Sequence, residues 1–186
     1  IKLQMRKLNI RIKIRLIDFS NLKKIQLDNK KINLINVNFN QKKPFDIITS
    51  KSNNYIRESF EIALKILNTK ITNKLINGPI SKKHFLKKKY LGITEYLAYK
   101  TNSKNFAMLI YNKDLSICPI TTHLPIKKVS KYISKDIIKK KIQLLDVFFK
   151  KYLKKKPRIA VTGLNPHCES IDAFNEDEKI IKPSIK

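Results

Sequence analysis

A chain of 186 residues with 42% hydrophobic content predicts one domain or two small ones around a real core, and it argues against a disordered tail. No run of 18 apolar residues can span a bilayer, and IKLQMRKLN lacks the apolar core and cleavage site of a secretory signal, so a cytoplasmic protein without a membrane partner is expected. The net charge of +27 raises nucleic acid as a partner, but Lys supplies 36 of the 41 basic residues and Ile, Lys and Asn together make 83 of 186, a global compositional bias that charges every solvated face.

In chain order, NIRIKIRLI (9–17) alternates Ile10, Ile12, Ile14 and Leu16 with basic residues, which predicts a half-exposed strand; KINLINVNF (31–39) repeats the pattern. From Ser52 the apolar positions Ile56, Phe60, Ala63, Leu64 and Leu67 share one helical face, predicting a helix of about fifteen residues. KLINGP (74–79) reads as a short strand stopped by Gly-Pro, and Ser81 as the cap of a following helix. Thr94 is placed to cap TEYLAYKT. NFAMLIYN (105–112) and LSICPITTH (115–123) predict a hairpin turning at Asn112, Lys113 and Asp114. Ser134 opens a long helix over 135–154, ended by Pro157, and RIAVTGLNP reads as a buried strand. Strands alternating with helices give an α/β fold with a mixed sheet, whose chemistry belongs at the carboxyl ends of the strands.

The chain has only three glycines and three histidines, so their positions are informative. Gly78, Gly92 and Gly163 nominate three turns where positive φ or close backbone approach excludes a side chain. His123 closes LSICPITTH before Leu-Pro, and His167 closes RIAVTGLNPH after Asn-Pro; two imidazoles at the tips of neighbouring strands can converge on one divalent metal, with a third ligand from elsewhere. Cys168 and Glu169 adjoin His167, and Cys168 is read as a small filler rather than a ligand. Cys118 and Cys168 have no CxxC spacing, which argues against a disulfide framework or a zinc knuckle. INGPIS offers backbone N–H groups and Lys82 to an anion, and the helix at Thr94 offers a hydroxyl and free N–H groups to a phosphate. His84 and Lys87 to Lys89 read as a solvated surface.

INGPISK, LGITEYLA, ITTHLP and VTGLNPHCES, in this order and spacing, resemble the 4-hydroxythreonine-4-phosphate dehydrogenases of pyridoxal phosphate biosynthesis. The resemblance implies an isocitrate/isopropylmalate dehydrogenase-like α/β fold, incomplete here, with a partial first domain over 1–90 and a partial second over 91–186. It implies a homodimer with the active site at the subunit interface, NAD or NADP as cofactor, and a divalent metal (zinc, magnesium or cobalt) bound by His123 and His167. It implies oxidation of 4-phosphooxy-L-threonine to 2-amino-3-oxo-4-phosphooxybutyrate, which decarboxylates to 3-amino-2-oxopropyl phosphate; the residue acting as general base is not readable. The family binds this phosphorylated amino acid through the His-Thr pair of a GHTE motif, which maps onto Ile93 and Thr94, so Thr94 is kept and Ile93 replaces the histidine. The family's GDPAGIGPE opening, YHDQG motif and nicotinamide-binding region are not in the sequence, which predicts a truncated form with little dehydrogenase activity of its own. The alternatives are a basic nucleic-acid-binding module, against which the lack of arginine-aromatic interleaving speaks, and an inactive remnant kept as a dimer partner.

Overall fold

The alternation of Ile10, Ile12, Ile14 and Leu16 becomes a ladder over three residues only. In the computed structural model, which describes residues 1–87, 89–164 and 173–186, β1 (Ile14–Leu16) pairs in parallel with β2 (Ile32–Leu34), and Ile14 stands opposite Ile32. The Ile32 amide donates to the Lys13 carbonyl and the Ile17 amide to Leu34, both at 2.9 Å. A period of two selects a face, but a strand also needs a neighbouring backbone to bond. Residues 9–13 and 35–39 lie outside the ladder, and the chain before them is a short helix, α1 (Lys2–Lys7). Among the described residues the sheet is therefore two-stranded and parallel rather than the expected mixed sheet.

The chain divides into two compact units, Ile1–Lys89 and Tyr90–Lys186. In the first, the Asp18 carboxylate accepts the Ser20 amide at 2.9 Å and opens a 3-10 turn over Phe19–Lys24 that buries Leu22. The amphipathic segment forms α2 (Asn53–Asn68) as its spacing predicts, with Phe60 as its buried residue. Phe60 stacks on Phe85 at 6.0 Å between ring centroids, at the end of the single-turn helix α3 (Lys82–Phe85). His84 is not simply solvated. It is half-buried, its Nδ1 lies 2.8 Å from the Ser81 hydroxyl, and its carbonyl accepts the Asn53 side-chain amide at 2.9 Å. Residues 74–79 form no strand, since no backbone pairs with them. Ile76 is 96% exposed and no atom lies within 4 Å of a Cβ built on Gly78, so INGPIS is an open loop.

The second unit is built around α6 (Lys135–Phe148), whose Ser134 cap accepts the Ile137 amide and whose Ile138 is 1% exposed. The helical segment runs to Leu153, within a residue of the expected end. It widens into a π turn over Phe149–Leu153 and stops at Lys154, which takes a left-handed φ of 56° three residues before Pro157. A second π turn (Asp177–Ile181) and α7 (Lys182–Ile185) pack against α6 and bury Ile181 and Ser184. The expected hairpin is reduced to one antiparallel bridge, Ile110 with Ile117, closed by Asn112, whose side chain accepts the Asp114 amide at 3.0 Å. Residues 158–164 form no strand, and Arg158, Ile159 and Ala160 are exposed. They border an apolar groove of about 740 Å³ floored by Ile138, Ile142, Leu145 and Phe149 of the α6 side. No helix among the described residues is long and apolar enough to cross a membrane.

Candidate functional site

Two of the motifs meet within the second unit. Gly92 is buried and extended (φ −158°), and it caps α4 (Ile93–Lys100) with its carbonyl accepting the Tyr96 amide at 3.1 Å. Thr94 is therefore not the cap. It lies in the first turn, half-buried beside Ile93, and no side chain caps the helix. Among the described residues no acceptor meets the first amides of α4, the arrangement that favours an anion at a helix amino end. Tyr96 and Ala98 anchor the helix in the unit, and the Tyr90 ring meets Tyr96 edge-on at 5.4 Å.

Any L-residue could adopt the backbone at position 92, so the role of glycine there is one of space, and the nearest atom is the movable end of a side chain. A Cβ there would stand 2.9 Å from Glu95 Oε2 and 3.7 Å from His123 Nε2, so the carboxylate and the imidazole edge face the same notch. None of the glycines has positive φ; the left-handed positions are held by side-chain-bearing residues, among them His123 at φ 57°. The Thr122 hydroxyl donates to Glu95 Oε1 at 3.3 Å and joins the TTHLP loop to the start of α4. The His123 residue is exposed, while Thr122 and Glu95 are half-buried. After Pro125, α5 (Ile126–Tyr132) leads the chain away.

His167 lies outside the described residues, as do Cys168 and Glu169. The extended segment leading towards it is held by a residue the sequence reading missed: the Leu164 amide donates to Asp177 Oδ1 at 3.1 Å, and Asp177 is 4% exposed. Asn175 fixes that aspartate by accepting the Asp177 amide at 2.9 Å and the Glu178 amide at 3.2 Å. Glu95 and Thr122 were also missed as site residues, although both stand inside the quoted motifs. Their signal was adjacency to Thr94 and His123. Among the described residues no three His, Cys, Asp or Glu side chains cluster to hold a metal. His123 fits as one nitrogen donor, exposed and facing a notch kept open by Gly92.

Helices with a small parallel sheet make this an α/β protein, and solved structures share its fold. The chain superposes on a 4-hydroxythreonine-4-phosphate dehydrogenase from Burkholderia phymatum with a TM-score of 0.76 at 23% identity, covering 97% of this chain and 56% of that one. The corresponding enzyme from Klebsiella pneumoniae gives 0.75 at 23% identity, over 94% and 55%. Residues 2–186 match the family of pyridoxal phosphate biosynthetic protein PdxA, and the chain belongs to that family. It is 39% identical over 130 residues to the 4-hydroxythreonine-4-phosphate dehydrogenase of Sulfurihydrogenibium sp. (strain YO3AOP1), covering 68% of this chain and 40% of that relative. It is 38% identical over 98 residues to the D-threonate 4-phosphate dehydrogenase of Pectobacterium atrosepticum, over 52% of this chain and 30% of that relative. The chain thus spans well under half the length of these curated relatives.

Proposed function

We propose that this chain carries the substrate- and metal-binding part of a 4-hydroxythreonine-4-phosphate dehydrogenase with an isocitrate/isopropylmalate dehydrogenase-like fold, working as a homodimer with NAD or NADP. The observation that carries the proposal is the meeting of LGITE and TTHLP: the uncapped amino end of α4 and the His123 imidazole converge on the Gly92 notch.

In this reading the free amides of α4 and the Thr94 hydroxyl bind an anionic group of 4-phosphooxy-L-threonine, the phosphate being the better match for several converging donors. The substrate alcohol is oriented beside His123, its proton passes to a base, and its hydride passes to the nicotinamide. The 3-oxo acid that results loses carbon dioxide and takes up a proton to give 3-amino-2-oxopropyl phosphate. His123 and His167 would hold a divalent ion (zinc, magnesium or cobalt), which when bound would supply positive charge to ease loss of the alcohol proton and to steady the negative charge left by decarboxylation. Ile93 contributes no hydrogen bond where the family's histidine would, a loss of about 1.5–3 kcal/mol if that bond was charge-assisted.

A second substrate is favoured by one specific finding, the likeness to a D-threonate 4-phosphate dehydrogenase. The two substrates share the phosphate and the oxidisable alcohol and differ in an amine against a hydroxyl. Calorimetric titration of the chain with each compound, with zinc present, decides between them. Tighter binding of 4-phosphooxy-L-threonine, lost together with zinc binding in His123→Ala, is the expected result. Unchanged zinc binding in that variant would remove the metal assignment.

A further inference from the structure

The loop that presents His123 is fastened to α4 through one carboxylate. Glu95 Oε1 accepts the Thr122 hydroxyl at 3.3 Å, and its Oε2 fills the space that a side chain at position 92 would need. The next residue, His123, sits at φ 57°, a region that L-residues other than Asn, Asp and His seldom enter. Such a conformation persists where its surroundings hold it, and the described residues supply two restraints: the Thr122–Glu95 bond before His123, and Pro125, with its fixed φ, after it. The consequence is directional. With Thr122 pinned, the imidazole edge lies over Gly92 before any ligand arrives.

We propose that Glu95 is a positioning residue that aims His123, and that Gly92 lacks a side chain to leave room for this carboxylate beside the imidazole. The proposal rests on the reading of His123 as a metal donor. Glu95 does not bind the substrate's phosphate, because its charge repels that group and one of its oxygens is already engaged. Its partner is the hydroxyl of the residue before His123, so the carboxylate acts on the imidazole one step removed, by holding the loop backbone that carries the ring.

The test is zinc affinity of the full chain, measured by competition with a chelating dye, alongside amide hydrogen exchange at residues 122–124 without metal. Glu95→Ala and Thr122→Val each remove the bond, and zinc binding is expected to weaken towards the lower end of the ~10- to 100-fold that losing a direct partner of the imidazole costs, because this partner acts through the loop. Gly92→Ala, which displaces the carboxylate, should weaken it in the same direction. Glu95→Gln still accepts the Thr122 hydroxyl and should stay within about threefold of the parent, a rescue that separates orientation from direct ligation. Exchange at 122–124 should quicken in the Ala and Val variants and stay slow in the Gln variant. A Gln variant as weak as the Ala variant would overturn the proposal in favour of Glu95 as a ligand. Unchanged zinc affinity and exchange in Glu95→Ala would overturn it outright, and if that protein fails to fold, Thr122→Val, which keeps the shape, decides. His123→Ala separates the two readings: if it binds zinc like the parent, the metal reading falls and exchange alone judges the positioning role.

Discussion

The amide of Leu164 donates to the Oδ1 of Asp177 across 3.1 Å, so the segment that leads to His167 is tied to a π turn thirteen residues further along. The second oxygen, Oδ2, is buried without a hydrogen-bond partner among the described residues, so the carboxylate bears a desolvation cost that its bond to the Leu164 amide must offset. Removing it deletes a hydrogen bond to a charged group and strands the Leu164 N–H. Asp177→Ala is therefore expected to destabilise the second unit by about 1.5–3 kcal/mol, and Asp177→Asn, which keeps an acceptor, by less. Urea denaturation followed by circular dichroism checks this; equal midpoints for the Ala variant and the parent would contradict it.

Ile138 is the most buried side chain described, at 1% exposure, on the face of α6 that lies over the apolar groove. The groove gives its neighbours room to relax, which moderates the cavity that a truncation leaves. Ile138→Ala should cost about 2–3 kcal/mol, towards the low end of the range for buried aliphatic truncations, and Ile138→Val about 0.5–1.5. Melting temperatures of the two variants give the order directly.

The helices were legible because their information is local. The 3.6-residue spacing of Phe60 and its neighbours specified α2, and Ser134 marked the start of α6 as a true cap, its hydroxyl accepting the Ile137 amide. The strands were legible only in part: the alternation over 9–17 and 31–39 holds β1 and β2, whereas an apolar run such as 158–164 reports burial preference while the bond partner that makes it a strand lies elsewhere in the chain. The end of the helical segment came out within a residue of expectation, but its cause did not: the left-handed turn at Lys154, which no local propensity of lysine announces, ends it before Pro157 can. In the site, the motifs pointed to Thr94 and His123, yet the bond between Glu95 and Thr122 spans 27 positions and leaves no trace in spacing. Gly92 was recognised as special, and its reason, close approach rather than positive φ, emerged only from the packing.

Cys118 lines the groove half-buried, and burial pushes its thiol above the ordinary value, with the Lys141 ammonium opposing that shift. Deprotonation in the folded chain then needs a higher pH than in the unfolded one. The thiol's contribution to stability is complete below the ordinary thiol pKa and is lost as pH rises through the folded value, the sign expected when the native state keeps its proton longer. In a Cys168→Ser background, the rate of iodoacetamide alkylation at Cys118 should show a midpoint above that of a free thiol, because the thiolate is the reacting form. Lys141→Met should move the midpoint higher still by removing the nearby positive charge. A midpoint at or below that of a free cysteine would mean that the thiol is not desolvated by the groove.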